Sequence, residues 1–272
     1  MIRVELLKLF RRPRTWMTIG LLDALPTVVA ILLAVTGIGP RPGQGPAFLS
    51  AVLTNGSLFA VAALAIVLPL FLPVAVAVVA GDTVAGEAAS GTLRYLLIRP
   101  VGRTRLLVAK LVSVFAFVLT AVVVVSGTGY LVGRALLGDQ PLSAVAVTSV
   151  SGTSLTSGQI AGRTVLAIGY VAFSMLGVAA VALFLSTVTD SALSASMGAL
   201  AILIGSSLLL TIDASRALQP YLPTRYWLSF IDLFRDPILW RNVLRGVALQ
   251  GVYVLVLLGA AWANFTTKDV TS

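Results

Sequence analysis

The chain has 272 residues, 58% of them hydrophobic and only 11% charged, with 19 Lys and Arg against 10 Asp and Glu. A soluble domain carries roughly 25% charged residues, so a water-soluble fold is excluded, and the basic excess reads as contact with anionic headgroups, not nucleic acid. The absence of Cys and His removes thiol chemistry, disulfides, haem attachment and Cys/His zinc sites together.

The chain opens on MIRVELLKLFRRPRTW. Ile2, Leu6, Leu9 and Phe10 fall on one helical face, with Glu5, Lys8, Arg11 and Arg12 on the other, which predicts an amphipathic helix over 1–16 lying on the membrane surface. Pro13 breaks that helix and Trp16 marks the membrane edge. The stretch is too charged for the apolar region of a cleaved signal, so it is expected to stay in the mature protein. Six apolar runs follow, at about 17–38, 58–80, 106–132, 164–185, 192–212 and 246–265, each long enough to cross a roughly 30 Å hydrocarbon core. The fold class is therefore all-α, a single polytopic membrane domain with both termini on the same side. Arg3, Lys8, Arg11, Arg12 and Arg14 precede the first run and Arg41 follows it, which places the termini in the cytoplasm.

Within the first run, Asp23 lies about seven residues past Trp16, hence roughly 10 Å deep. It reads either as a local cap ahead of Pro26, accepting backbone N–H bonds, or as an ionisable group in a pathway; the structural role is favoured. Pro69 and Pro73 in the second run predict a kink with freed carbonyls, a possible hinge or pathway wall. GTGYLVG, residues 127–133, resembles a dinucleotide loop only superficially. It closes an apolar run instead of joining strand to helix, and predicts small-residue packing. Gly169 and Gly177 suggest a second such face. The Ser/Thr-rich segment from Gly133 to Arg163 predicts an irregular external excursion. Residues 213–245 carry Trp227, Phe230, Ile231, Phe234 and Ile238 among mixed charges, which predicts an interfacial or re-entrant external helix.

No P-loop and no acidic cluster for Mg²⁺ is present, so the chain is read as a non-enzyme. One polar segment interrupts the oily chain: AGEAASGTLRYLLIRP, residues 85–100. Asp82 and Glu87 come early, where acids complement a helix dipole. Thr92 can cap a second turn carrying Leu93, Leu96 and Leu97 on one side, and Arg99-Pro100 ends it. Arg103, Arg105 and Lys110 then anchor the next run at the headgroups, as Arg11, Arg12 and Trp16 anchor the first. A solvated loop would not need the leucine face.

GEAASGTLRYLLIRPVGRTRLLVAKL resembles the cytoplasmic loop of type-2 ABC transporter permeases, G-E-x-x-x-G-T-L-x-x-L-L-x-x-P-[VI]-x-R-x-x-L-x-x-[AG]-K, at every fixed position. ELLKLFRRPRTW is similar to that family's N-terminal arm, and ALFLSTVTDSALSA to its turn between the fourth and fifth spans. The resemblance implies a membrane-spanning permease that pairs with a second permease chain, itself or a paralogue, and with two copies of an ABC ATPase. ATP and Mg²⁺ are then held on the ATPase, and this chain binds no cofactor. It implies that 81–105 is a coupling segment docked on the ATPase through Gly86, Glu87, Gly91 and Thr92 and through the leucines Leu93, Leu96 and Leu97. Export of an amphipathic or hydrophobic substrate across the cell membrane is the expected activity. The alternative is an ATP-independent secondary transporter or channel, which predicts more intramembrane charge than Asp23.

Overall fold

The computed structural model describes residues 1–38, 48–49, 52, 56–89, 102–137, 147–148 and 154–267. Helix α1 (Ile2–Arg11) buries none of its residues, as a surface helix should. Pro13 opens α2 (Pro13–Thr36), at a position where its missing N–H leaves no bond unmade. Side chains take up the last carbonyls of α1. Thr15 Oγ1 donates to the Leu9 carbonyl at 2.8 Å, and the Trp16 indole to that of Phe10 at 2.9 Å. Gly37, left-handed at φ +64°, ends α2 and donates to the Leu33 carbonyl at 2.9 Å, which is the usual reason for a glycine there.

The second span is two helices, α3 (Phe59–Val67) and α4 (Phe71–Gly81), bent by 60° at the break between them. Proline has no N–H, so Pro69 leaves the Ala65 carbonyl without its helical partner and Pro73 does the same to Pro69. The predicted kink is present. All of α3 except Ile66 is buried, which fits a helix apolar all round and places it at the centre of the bundle. After the short α5 (Ala85–Ala89), α6 runs from Arg103 to Leu137, several residues beyond both expected ends. Its buried stripe ends in Gly129 and Gly133. A Cβ on Gly133 would collide with the Gly56 carbonyl and the Phe59 side chain, and one on Gly129 would lie 3.2 Å from the Phe59 carbonyl. GTGYLVG is thus a packing face against the start of α3.

In the long segment after α6, Val147–Thr148 pairs antiparallel with Ser154–Leu155, a ladder of two residues per strand beside an otherwise helical fold. α7 (Ser157–Val188) begins seven residues before the expected Thr164. The Thr156 hydroxyl accepts from the Gln159 N–H at 3.4 Å, and Gln159 Oε1 accepts from the Thr156 N–H at 2.9 Å. That reciprocal cap starts a helix inside a stretch whose Ser/Thr content suggests loop. α8 (Ala192–Leu209) and α9 (Trp240–Thr267) complete the fold. Among the described residues, five helices are long and apolar enough to cross a membrane, and the bent α3–α4 pair makes a sixth, so the chain is a polytopic all-α membrane protein.

Of the two forms expected between α8 and α9, a helix lying in the interface does not occur, and the segment is closer to the re-entrant one. It is a chain of tight 3₁₀ turns (Asp213–Ser215, Gln219–Tyr221, Trp227–Phe234); the first two lie mostly exposed and the third packs into the bundle, with Trp227, Phe230 and Phe234 at 5%, 0% and 1% exposure. Irregular backbone survives there because the spans supply its partners. Tyr170 of α7 donates to the Tyr226 carbonyl at 2.6 Å. From α9, Gln250 donates to the Pro223 carbonyl at 2.6 Å and Tyr253 to that of Tyr221 at 2.8 Å. Ser206 of α8 shares a 2.7 Å hydroxyl contact with Thr224. Of the two glycines suggested as a face on α7, Gly177 makes room for Gln250, whose Oε1 a Cβ would strike, whereas Gly169 has nothing within 4 Å.

Candidate functional site

Polar side chains from five helices converge at the end of the bundle that carries α1, around the corner between α4 and α5. Asp82 leaves α4 and takes Arg14 at 2.5 Å and Arg12 at 3.5 Å, tying the start of α2 to the corner. A Cβ on Gly86 would collide with the Asp82 carboxylate, so the glycine of the G-E pair makes room for that folded-back acid. Glu87 then points inwards at 7% exposure. One carboxylate oxygen lies 2.5 Å from Lys8 of α1 and the other 2.6 Å from Lys110 of α6. Lys110 also donates to the Thr83 carbonyl at 2.5 Å.

Lys110 corrects an expectation. Its side chain is 1% exposed and lies under the corner, not at the headgroups. A desolvated ammonium persists there because a carboxylate and a carbonyl both face it. Burial pushes the Glu87 carboxyl up, but Lys110 and then Lys8 more than offset it and hold it below the usual carboxylate range. A depressed carboxyl contributes stability that is fully present above its unfolded value of 4.5 and is lost as the pH falls through the lower folded value. Hydrogen-exchange protection of α1, corrected for intrinsic rates, is therefore expected to hold from neutral pH down to 4.5 and to fall below it. Protection that is flat through the acid range would remove the Glu87 tie as its cause.

Other expected anchors divide. Arg11 and Arg105 are exposed, and Trp16 is 51% exposed against Phe10, as a membrane-surface role requires. Arg103 instead turns onto the last carbonyls of α9, at 3.2 Å from Phe265 O and 2.9 Å from Thr266 O. Gly91, Thr92, Leu93, Leu96 and Leu97 lie outside the described residues. Asp23 is not a backbone cap: its carboxylate accepts the hydroxyl of Thr128 on α6, joining two spans beside the buried Pro26. Pro69 and Pro73 line a separate cavity of about 360 Å³ with Leu70, Leu203, Ser207 and Trp227. Among the described residues, the Trp227 indole N–H is buried without a partner. Among the described residues, no cluster of three or more His, Cys, Asp or Glu could hold a metal.

Two residues of this end escaped the sequence reading. Ser186, at 1% exposure, lies inside the ALFLSTVTDSALSA resemblance but carries no signal of its own. Asn264 donates to Thr187 at 2.9 Å and fastens the end of α9 to that of α7. At the other end, Gln250 was detectable as an amide in an apolar run, as Asn264 was at this one.

The ABC-2 family transporter protein model matches residues 1–189. The chain belongs to that family. No curated protein matches it. Membership makes this chain the membrane permease subunit of an ABC transporter, a multi-pass transport subunit. The matched region contains the whole α4–α5 corner with the α1, α2, α6 and α7 residues that hold it, and stops one residue past α7.

Proposed function

We propose that the permease is the translocation subunit of an ABC exporter in the cell membrane, driven through the α4–α5 corner. Two permease chains, identical or paralogous, pair with two copies of an ATPase that holds the ATP and Mg²⁺. The α1 end faces the cytoplasm, and segment 81–105 is the surface on which the ATPase docks. The observation that carries this reading is the construction of the corner: α1, α2, α6 and α7 all supply hydrogen bonds or ion pairs to residues 81–87. A segment so held moves as one piece with the spans around it, as a coupling element must. Glu87 acts in this scheme from inside, setting the position of the segment.

Closure of the ATPase on ATP draws the two coupling segments together, and the bundle exchanges one access state for the other. The bend at Pro69–Pro73 and its cavity lie midway along the second span. A mostly apolar wall that includes Ser207 and Thr211 suits an amphipathic cargo. Purification of the tagged chain from its native membrane in mild detergent tests the reading. An ATPase subunit with a Walker motif is expected in roughly equal amount. A chain that purifies without one, yet still conducts or exchanges solutes in vesicles, would establish an ATP-independent transporter or channel instead.

A further inference from the structure

Ser186, near the end of α7, uses its whole hydrogen-bonding capacity on the α4–α5 corner. Its hydroxyl donates to the Gly81 carbonyl at 2.7 Å and accepts the Val84 and Ala85 N–H groups at 3.1 and 2.9 Å. One donor and two acceptors are all a hydroxyl has. The Gly81 carbonyl is an open C-terminal acceptor of α4, and the two N–H groups are open donors at the start of α5. One buried side chain of a third helix therefore joins the end of one helix to the start of the next. α8 closes the other side: a Cβ on Gly81 would collide with the Ser196 hydroxyl and lie 3.0 Å from the Ser196 nitrogen. The α7–α8 hairpin cradles the corner.

The route from this corner to the far end of the bundle is unequal between helices. A push along α4 meets the 60° bend within eleven residues. α7 is unbroken over 32 residues and contains no proline. It reaches the far-end turns at two points. Tyr170 holds the Tyr226 carbonyl, and Arg163, at 7% exposure, donates to the Arg235 carbonyl at 3.0 Å and to Asp236 at 3.3 Å. Those contacts lie about 24 and 35 Å from Ser186 along the helix.

We propose that Ser186 is the positioning residue that fastens the coupling corner to α7, making α7 the rod that carries its movement to the far-end segment 213–239. The inference rests on the coupling reading above and adds its route: the signal bypasses the α3–α4 bend. Helix-end carbonyls and N–H groups bound to one hydroxyl cannot shift relative to α7 without breaking all three bonds.

The chain contains no Cys, so one nitroxide can be placed at Leu218→Cys, 57% exposed in the far-end segment. The complex purified with its ATPase is compared with and without ATP and orthovanadate. The parent is expected to show a nucleotide-dependent change in label mobility. Ser186→Ala should reduce that change about fivefold or more while ATP hydrolysis continues, and Ser186→Thr, which keeps the hydroxyl, should restore it. Tyr170→Phe, at the other end of the rod with the corner untouched, should reduce it as well, and it decides the matter if Ser186→Ala does not assemble. A full-sized change in either Ser186→Ala or Tyr170→Phe would overturn the rod. A parent that does not respond to nucleotide would overturn the coupling reading and the rod with it.

Discussion

Lys110→Met is expected to cost about 3–5 kcal/mol of stability, the usual penalty for removing one partner of a buried ion pair. The methionine fills the space of the lysine stem, so lost packing contributes little, and the cost is that of Glu87 left at 7% exposure with Lys8 alone. Lys8 is a weak substitute because its own side chain is 39% exposed, and an exposed partner is screened. The Thr83 carbonyl also loses its ammonium donor. Glu87→Gln in the same chain should recover much of the loss, since a neutral amide needs no counter-charge. Glu87→Lys, which gathers three ammonium groups, should be the worst single change at this site, and Lys110→Glu should partly rescue it. Thermal unfolding of purified variants in one detergent measures all four. Equal losses for Lys110→Met alone and for the double variant would mean that packing, not charge, sets the cost.

Gly246→Val should be nearly as damaging at the opposite end of the bundle. A Cβ there would collide with the Tyr170 hydroxyl and lie 2.9 Å from the Tyr226 Cβ, so the tyrosine must swing away and the Tyr226 carbonyl loses its donor. Overpacking costs about 1–3 kcal/mol, and a buried carbonyl left unpaired about as much again. Tyr170→Phe alone should cost about 1–3 kcal/mol through the same carbonyl. The double variant should cost less than the sum, because phenylalanine has no hydroxyl for the valine to strike. Strict additivity in a double-mutant cycle would show that the two residues do not share this contact.

What was legible in the sequence was local. Pro69 and Pro73 announce a bend because a missing N–H acts within one turn, and Pro13 with Trp16 marks the join of α1 to α2 for the same reason. The G-E motif was recognisable, and so was the family. The inward direction of Glu87 was not, because Lys110 is 23 positions away and reaches it only when α6 folds back beside α4. Periodicity reports that one side of a segment is apolar and not what covers it. Trp227, Phe230 and Phe234 therefore read as one face of an interfacial or re-entrant helix, with no sign that the bundle buries them. Thr156 and Gln159 have the spacing of a helix start, a signal hidden by the Ser/Thr content around it. Ser186 is a serine among many; only the meeting of two helix ends gives it a task.

The length of α6 has its own consequence. Thirty-five residues make a helix of about 52 Å, longer than a whole bilayer of roughly 40–45 Å with its headgroups. It must lean or stand proud of the membrane, and the angle it takes depends on how thick that membrane is. Its two ends hold the contacts that matter most, Lys110 beneath the α4–α5 corner and Gly133 against the entrance of α3. Thinning or thickening the surrounding lipid would therefore turn one lever at both of its bearings.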